Sequence, residues 1–256
     1  MDNGEMSWKS HKVNPYLVGT SGWIYLHWRG HFYPEDLPPS QWFEYYAKIF
    51  PTVEINATFY RSFKESTYRK WKEKAPEGFL YVLKAPRVIT HRKKLVRVES
   101  DILRFWESAS LLEEKLGLVL LQLAPSTAYD PDRLYNALRV FPEPKYVAVE
   151  FRHPRWYTET VREILQETGA VFCSVDSPES DLLDWITSSK GYIRLHGRRF
   201  WYADNYSRKE LESIAELAQK MREKGAQNVY IFFNNDFRAY AVKNAKSLLQ
   251  ILYSSE

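Results

Sequence analysis

Cysteine is almost missing from this 256-residue chain. Cys173 stands alone, so no disulfide can form within the chain, and a reducing, cytoplasmic setting is the expectation. Glycine (10) and proline (13) are sparse, which excludes collagen, Gly-rich repeats and low-complexity disorder. Long apolar runs are lacking too. The longest, 116–124, is broken by Gly117 and Gln122 and falls far short of the roughly 20 residues that span a bilayer, so no membrane partner is expected. Residues 1–15 are polar and of mixed charge, without the apolar core of a signal peptide, and read as a tail ahead of the fold. Nor is there a large excess of one charge: 36 Lys and Arg against 32 Asp and Glu leave +4, too little by itself to specify a nucleic-acid partner.

What is present is enough to build a core. Hydrophobic residues make up 45% of the chain, and a chain of this length buries roughly three-quarters of its unfolded surface. Apolar runs of strand length alternate with stretches of helical spacing. The strands are expected at 17–21, 53–59, 79–85, 118–123, 146–151, 170–175, 191–196 and 229–234. Helices are expected near 40–49, 65–74, 100–115, 131–139, 155–168, 208–224 and 238–252, with at most a short one at 181–187 between strands six and seven. Local signals agree with these limits. Ser207 with Glu210 forms a capping box, Pro131 sits in a first turn after Asp130, and Gly169 and Gly225 fall just past helices.

Eight strands alternating with helices in about 250 residues is the pattern of a single-domain TIM-like (β/α)8 barrel of parallel strands over 16–256. An open doubly wound sheet alternates in the same way, but it carries a Gly-rich phosphate turn after strand one. Gly19-Thr20-Ser21-Gly22-Trp23 lacks that spacing, and the barrel is preferred.

In such a barrel the chemistry gathers where the strands end. Glu54 and Asn56 share one face of strand two, and Lys84 ends strand three in phase with Leu80 and Val82. Strand four brings Gln122, strand five Glu150 and Arg152 followed by His153, and strand six Asp176. Strand seven brings Arg194 and His196, and strand eight Asn234, Asn235 and Asp236. Burying such groups costs a few kcal/mol unless they are paired, so their recurrence at one end favours a site over chance. The competing reading is a plug of charges that merely neutralise one another.

The expected chemistry is acid–base catalysis, by hydrolysis or lyase steps, on a phosphate-bearing or nucleic-acid-derived substrate. Glu54 or Glu150 would act as base, His196 or Lys84 as acid, with Asp176 as a further carboxylate, and Arg152 and Arg194 would clamp an anion. Trp23, Asn56, Arg87, His91, Gln122, His153, Asn234, Asn235 and Asp236 would contact the substrate. No cofactor is expected. A divalent metal is the sharpest competitor, but His and Cys pairs at ligand spacing are missing and the interleaved Lys and Arg would repel a dication.

A third reading is a nucleic-acid-binding module without turnover. Two stretches interleave bases with other side chains, 84–94 after strand three and Gly197-Arg198-Arg199-Phe200-Trp201-Tyr202 after strand seven. Cys173, and Trp42 and Trp71 at helical spacing with Tyr46 and Tyr68, read as core. Oligomeric state leaves no signature in the sequence.

The motifs stand in a recognisable order. They are Gly19-Thr20-Ser21-Gly22-Trp23 with Tyr25 and Trp28, Phe32-Tyr33-Pro34, Val53-Glu54-Ile55-Asn56 with Thr58-Phe59-Tyr60, and Lys84 with Pro86-Arg87 and Ile89-Thr90-His91. Leu121-Gln122-Leu123 with Pro125-Ser126, Glu150-Phe151-Arg152-His153 with Trp156, Arg194 with His196-Gly197, and Phe233-Asn234-Asn235-Asp236 follow. Together, over 16–252, they resemble the YecE-like family, domain of unknown function 72. The resemblance implies a TIM-like barrel with these residues at one mouth and no established activity. One departure is visible: where the family often reads Gln-Leu-Pro-Pro-Ser-Phe, this chain has Gln122-Leu123-Ala124-Pro125-Ser126-Thr127.

Overall fold

The strand runs are apolar on both faces because each strand is covered twice, by the barrel interior and by the helices outside it. In the computed structural model, which describes residues 14–254, eight parallel strands form one sheet. They are β1 (Tyr16–Thr20), β2 (Thr52–Ile55), β3 (Leu80–Lys84), β4 (Leu116–Gln122), β5 (Val147–Glu150), β6 (Val171–Asp176), β7 (Lys190–Leu195) and β8 (Asn228–Phe233). Each strand pairs with the next in sequence from β2 to β8, and β8 pairs with β1. The helices are α1 (Trp42–Ile49), α2 (Ala57–Tyr60), α3 (Glu65–Lys74), α4 (Glu99–Ser110), α5 (Pro131–Val140), α6 (Glu159–Thr168), α7 (Arg208–Glu223) and α8 (Tyr240–Ser254). This is the α/β TIM-like barrel that the alternation of runs implies. Residues 1–13, which hold most of the expected tail, lie outside the described residues.

The seam between β1 and β2 is the weak join. One bridge, Ser21 to Glu54, links the two segments beyond β1 itself. Tyr46, from α1, stands in for the ladder: its hydroxyl accepts from Thr20 N at 2.9 Å and donates to the Thr52 carbonyl at 3.0 Å. Gly19 lets the strands approach there, since a Cβ at that position would lie 2.2 Å from the Thr52 carbonyl oxygen. The interior below the mouth is apolar, filled by Leu17, Val82, Leu118, Leu120, Ala148, Val171, Cys173, Val175, Tyr230 and Phe232. Cys173 is core there, and Trp42, Tyr46 and Tyr68 are buried in the outer layer between helices and barrel.

The caps fall where the sequence puts them. Ser207 and Glu210 exchange capping bonds, Asp130 accepts from Arg133 N ahead of Pro131, and Gly169 closes α6 in the left-handed region. One expectation fails. Strand two does not run to Phe59: it ends at Ile55, and Thr58 turns the chain into α2 by donating to the Ile55 and Lys84 carbonyls. No helix forms at 181–187, within the expectation of at most a short one. Hydroxyl side chains tie the link to β6 instead. Ser174 Oγ accepts from Leu183 N, while Thr187 Oγ1 accepts from Phe172 N and donates to the Ala170 carbonyl. Among the described residues, no helix is long and apolar enough to cross a membrane.

Candidate functional site

At the carboxyl ends of the strands the apolar interior gives way to charge. Arg194, on β7 and almost wholly buried, donates from Nη2 to Glu54 Oε1 at 2.6 Å and from Nη1 to Glu150 Oε2 at 2.5 Å. Glu54 also accepts from Ser21 Oγ at 2.8 Å and from the Tyr192 hydroxyl at 2.6 Å. Glu150 accepts from Gln122 Nε2 at 2.9 Å and from Arg152 Nε. Burial alone would raise the Glu150 carboxyl, but the guanidiniums of Arg152 and Arg194 outweigh it and hold the group well below the usual carboxylate range. Glu150 is therefore an anchor for the two arginines and a poor proton acceptor at neutral pH. Two carboxylates and two guanidiniums cancel in charge within this network.

His196 sits above it, fully buried. Its Nε2 lies 3.0 Å from Arg152 Nη2 and 3.4 Å from Arg194 Nη1, and a guanidinium only donates. Nε2 must then be the bare, accepting nitrogen and Nδ1 the protonated one. Asn234 places Nδ2 3.0 Å from Nδ1, and turning that amide over, as the Nδ1 proton requires, sets its oxygen to accept. Burial first, and then Arg194, push the imidazole well below its ordinary pKa, in keeping with a neutral ring. With both nitrogens occupied, His196 positions Arg152 and Arg194 rather than supplying protons. Trp201 covers the pair, its ring 5.5 Å from that of His196 and 5.1 Å from the Arg152 guanidinium carbon.

Lys84 differs from the other cations. Among the described residues it has no ion-pair partner, and its Nζ rests 4.2 Å from the centre of the Phe59 ring. Lys84 is 9% exposed, so the side chain is nearly enclosed. Burial and Arg194 push its pKa down to about 8, although Glu150 and Glu54 pull the other way. His91 packs edge-on against the same Phe59 ring at 4.8 Å and bonds Thr90 Oγ1 through Nδ1. Burial and the positive charges of Lys84 and Arg87 bring the His91 pKa down to about 4. A π-helical turn over Val88–Arg92 carries it.

Glu54, Lys84, Gln122, Glu150, Arg152, Arg194, His196 and Asn234 thus converge on one mouth, with His91 beside them. Asn56 is at its lip, where Oδ1 is buried without a partner among the described residues. Asp176 is not part of the cluster. It faces away from the barrel interior and accepts from the Tyr206 hydroxyl at 2.7 Å and from Arg198 Nε at 3.3 Å. Asn235 also points outward, bonding the Asp204 carbonyl and Asn244 Oδ1. Asp236 ties the loop after β1 to the end of β8, accepting from Trp28 Nε1 at 2.6 Å and pairing with His27. Trp23 packs edge-on against Phe43, His153 caps the turn at Pro154–Trp156, and Arg87 is exposed.

Four contributors escaped the residue-by-residue reading: Ser21, Tyr192, Phe59 and Trp201. Tyr192 is two residues before Arg194, so its inward direction was legible from the strand period, but its aromatic ring reads as core. The loop cations have partners of their own. Arg199 pairs with Asp204, Lys93 with Asp101, and Lys94 Nζ donates to the Ser126 carbonyl. The donor set suits a dication poorly, because Lys84, Arg152 and Arg194 stand among the carboxylates. Among the described residues, no group of three or more His, Cys, Asp or Glu is placed to hold a metal ion.

Known proteins share this architecture. A curated relative, UPF0759 protein YunF of Bacillus subtilis (strain 168), is 23% identical over 272 residues, which cover 92% of this chain and 94% of that protein. The crystal structure of a DUF72 family protein from Thermotoga maritima MSB8 superposes with a TM-score of 0.83 at 29% identity, covering 94% of this chain and all of that one. A DUF72 family protein from Enterococcus faecalis V583 matches in fold, with a TM-score of 0.74 at 22% identity over 82% of this chain and 87% of that chain. The family model described as protein of unknown function DUF72 matches residues 17–256, taking in every strand end that builds the mouth, and the chain belongs to that family.

Proposed function

We propose that the mouth is the active site of an acid–base enzyme whose substrate is a small anion bearing a phosphate or a carboxylate. The observation that carries this reading is the imbalance at Lys84. The Glu54–Arg194–Glu150–Arg152 network is neutral as a whole, which leaves the Lys84 ammonium as a nearly enclosed positive charge without a counter-ion among the described residues. An anion entering the opening supplies that counter-charge. Arg152 spends Nε and Nη2 on Glu150 and His196, so its remaining nitrogen is available to the same anion. With its pKa near 8, Lys84 exchanges a proton close to neutral pH, where catalytic acids and bases work best. Asn56, through its unpartnered oxygen, would orient a donor group of the substrate.

The test is thermal unfolding with inorganic phosphate, nucleotides and short oligonucleotides. A ligand at 100 times its dissociation constant adds about 2.7 kcal/mol, a readily measured rise in Tm. A rise in the native chain that disappears in Lys84→Met is expected. No rise with any of these anions would overturn the reading.

A further inference from the structure

Lys84 has the setting of a nucleophile as well as that of an acid. We infer that Lys84 Nζ forms a Schiff base with a carbonyl-bearing anion held at the mouth, an inference that rests on the anionic-substrate reading above and narrows its substrate class. The geometry is specific. The amine stands over the Phe59 ring, which fixes the end of an otherwise flexible side chain, and Thr58 pins the Lys84 carbonyl from below. Arg194 and Arg152, engaged by Glu54 and Glu150, stand near enough for their positive charges to act on it. A desolvated lysine beside fixed cations is the arrangement that frees an amine to attack carbonyl carbon. The Arg152 nitrogen not engaged by Glu150 or His196 favours a carboxylate or phosphate on the molecule attacked. A substrate with a carbonyl next to its anionic group, such as a 2-oxo acid or a phosphorylated aldehyde or ketone, fits both demands.

The step balances without any further reactant. Neutral Nζ attacks the carbonyl carbon, forming the C–N bond as the C=O pair moves onto oxygen. One nitrogen proton passes to that oxygen and solvent supplies a second. The oxygen leaves as water, and the nitrogen lone pair closes the C=N bond. Amine, carbonyl and one proton thus give a protonated Schiff base and one water.

The experiment incubates the full chain with glyoxylate, the smallest aldehyde that carries a carboxylate, in the presence of cyanoborohydride. Peptide mass spectrometry then locates the carboxymethyl-lysine formed. At pH 7 an amine of pKa about 8 is neutral a few hundred-fold more often than an ordinary lysine, roughly the ratio of their acid constants. Lys84 should therefore label well ahead of the exposed Lys48 and Lys209, with inorganic phosphate slowing the reaction at Lys84 alone. The rate at Lys84 should level off above pH 8 while the exposed lysines still accelerate. That profile reports the groups facing the amine: Arg194 on β7 and His196 just past it, Glu150 and Arg152 at the end of β5, Glu54 on β2, and His91 on the turn after β3.

Labelling at Lys84 no faster than at Lys48 overturns the inference. If glyoxylate or phosphate still raises Tm in that case, the anionic-substrate reading stands without the covalent step. Neither labelling nor a rise in Tm would sink both. Glycolaldehyde, which lacks the anionic group, should label Lys84 with less preference than glyoxylate; equal preference would remove the anion from the substrate class.

Discussion

Lys84 and Glu150 are both buried ionisable groups at strand ends, yet burial acts on them with opposite results. Glu150 has two guanidiniums within bonding reach and stays ionised, whereas Lys84 has none of the reverse sign and sits close to losing its proton. The cost of Lys84 should be visible in stability. Below pH 8 the side chain is charged both folded and unfolded, and the folded state bears the full penalty of enclosing it. Between pH 8 and 10.5 the unfolded chain still holds the proton while the folded one has released it, so stability rises with pH across that window. Lys84→Met should therefore be more stable than the native chain at pH 7 by up to about 3 kcal/mol, at 1.36 kcal/mol per pKa unit. The gap should close as pH approaches 10.5, as urea unfolding of the two proteins at several pH values would record. A native chain more stable than the Met variant at pH 7 would contradict this account. Much of this was legible beforehand: the period-two pattern put Glu54, Lys84, Glu150 and Arg194 on one face. The roles of Glu150 and His196 were not, because whether a carboxylate or an imidazole is free depends on partners far away in sequence, such as Gln122 and Asn234.

At the scale of elements, the strands and helices followed from period and caps, and the early end of β2 shares one physical origin with the helix-free link after β6. In both the end of β2 and the link from β6 to β7, hydroxyl side chains supply backbone partners that a strand or helix would otherwise provide. Apolar spacing says nothing of such bonds. Thr58 reads as an ordinary strand residue and Thr187 as the end of at most a short helix, while the strand position of Asp176 resembles that of Glu150. Its strand turns it outward, to Tyr206. The β1–β2 seam shows the same substitution in reverse, with a tyrosine from α1 serving as a ladder partner. Tyr46→Phe would leave Thr20 N and the Thr52 carbonyl buried and unpaired, which costs about 1–3 kcal/mol. Chemical denaturation should show that loss, and amide exchange should quicken at Thr20 before it does at the β7–β8 pair. Unchanged exchange at Thr20 would mean the hydroxyl is dispensable.

For the molecule as a whole, the mouth makes the fold sensitive to acid. His91 stays neutral down to about pH 4 and His196 is also held neutral, while in the unfolded chain each takes up a proton near pH 6.5. The unfolded state then binds more protons between pH 6.5 and 4, so stability falls as pH drops through that interval. Replacing His91 by Gln should flatten this part of a Tm-against-pH profile, leaving the neutral-pH value little changed. An identical slope in the variant would show that the imidazole is protonated in the folded chain as well.

The Ser21–Glu54 bridge gives this sensitivity a mechanical side. The carboxylate that grips Arg194 is also the clasp that shuts the cylinder, so the last join of the architecture and the first piece of the chemistry are made in a single act. A chain whose first two strands have parted cannot keep its mouth intact. Conversely, an anion of the proposed kind, settled against Lys84 and Arg152, would work as a rivet on a joint it never touches, holding β1 against β2 through the charges between them.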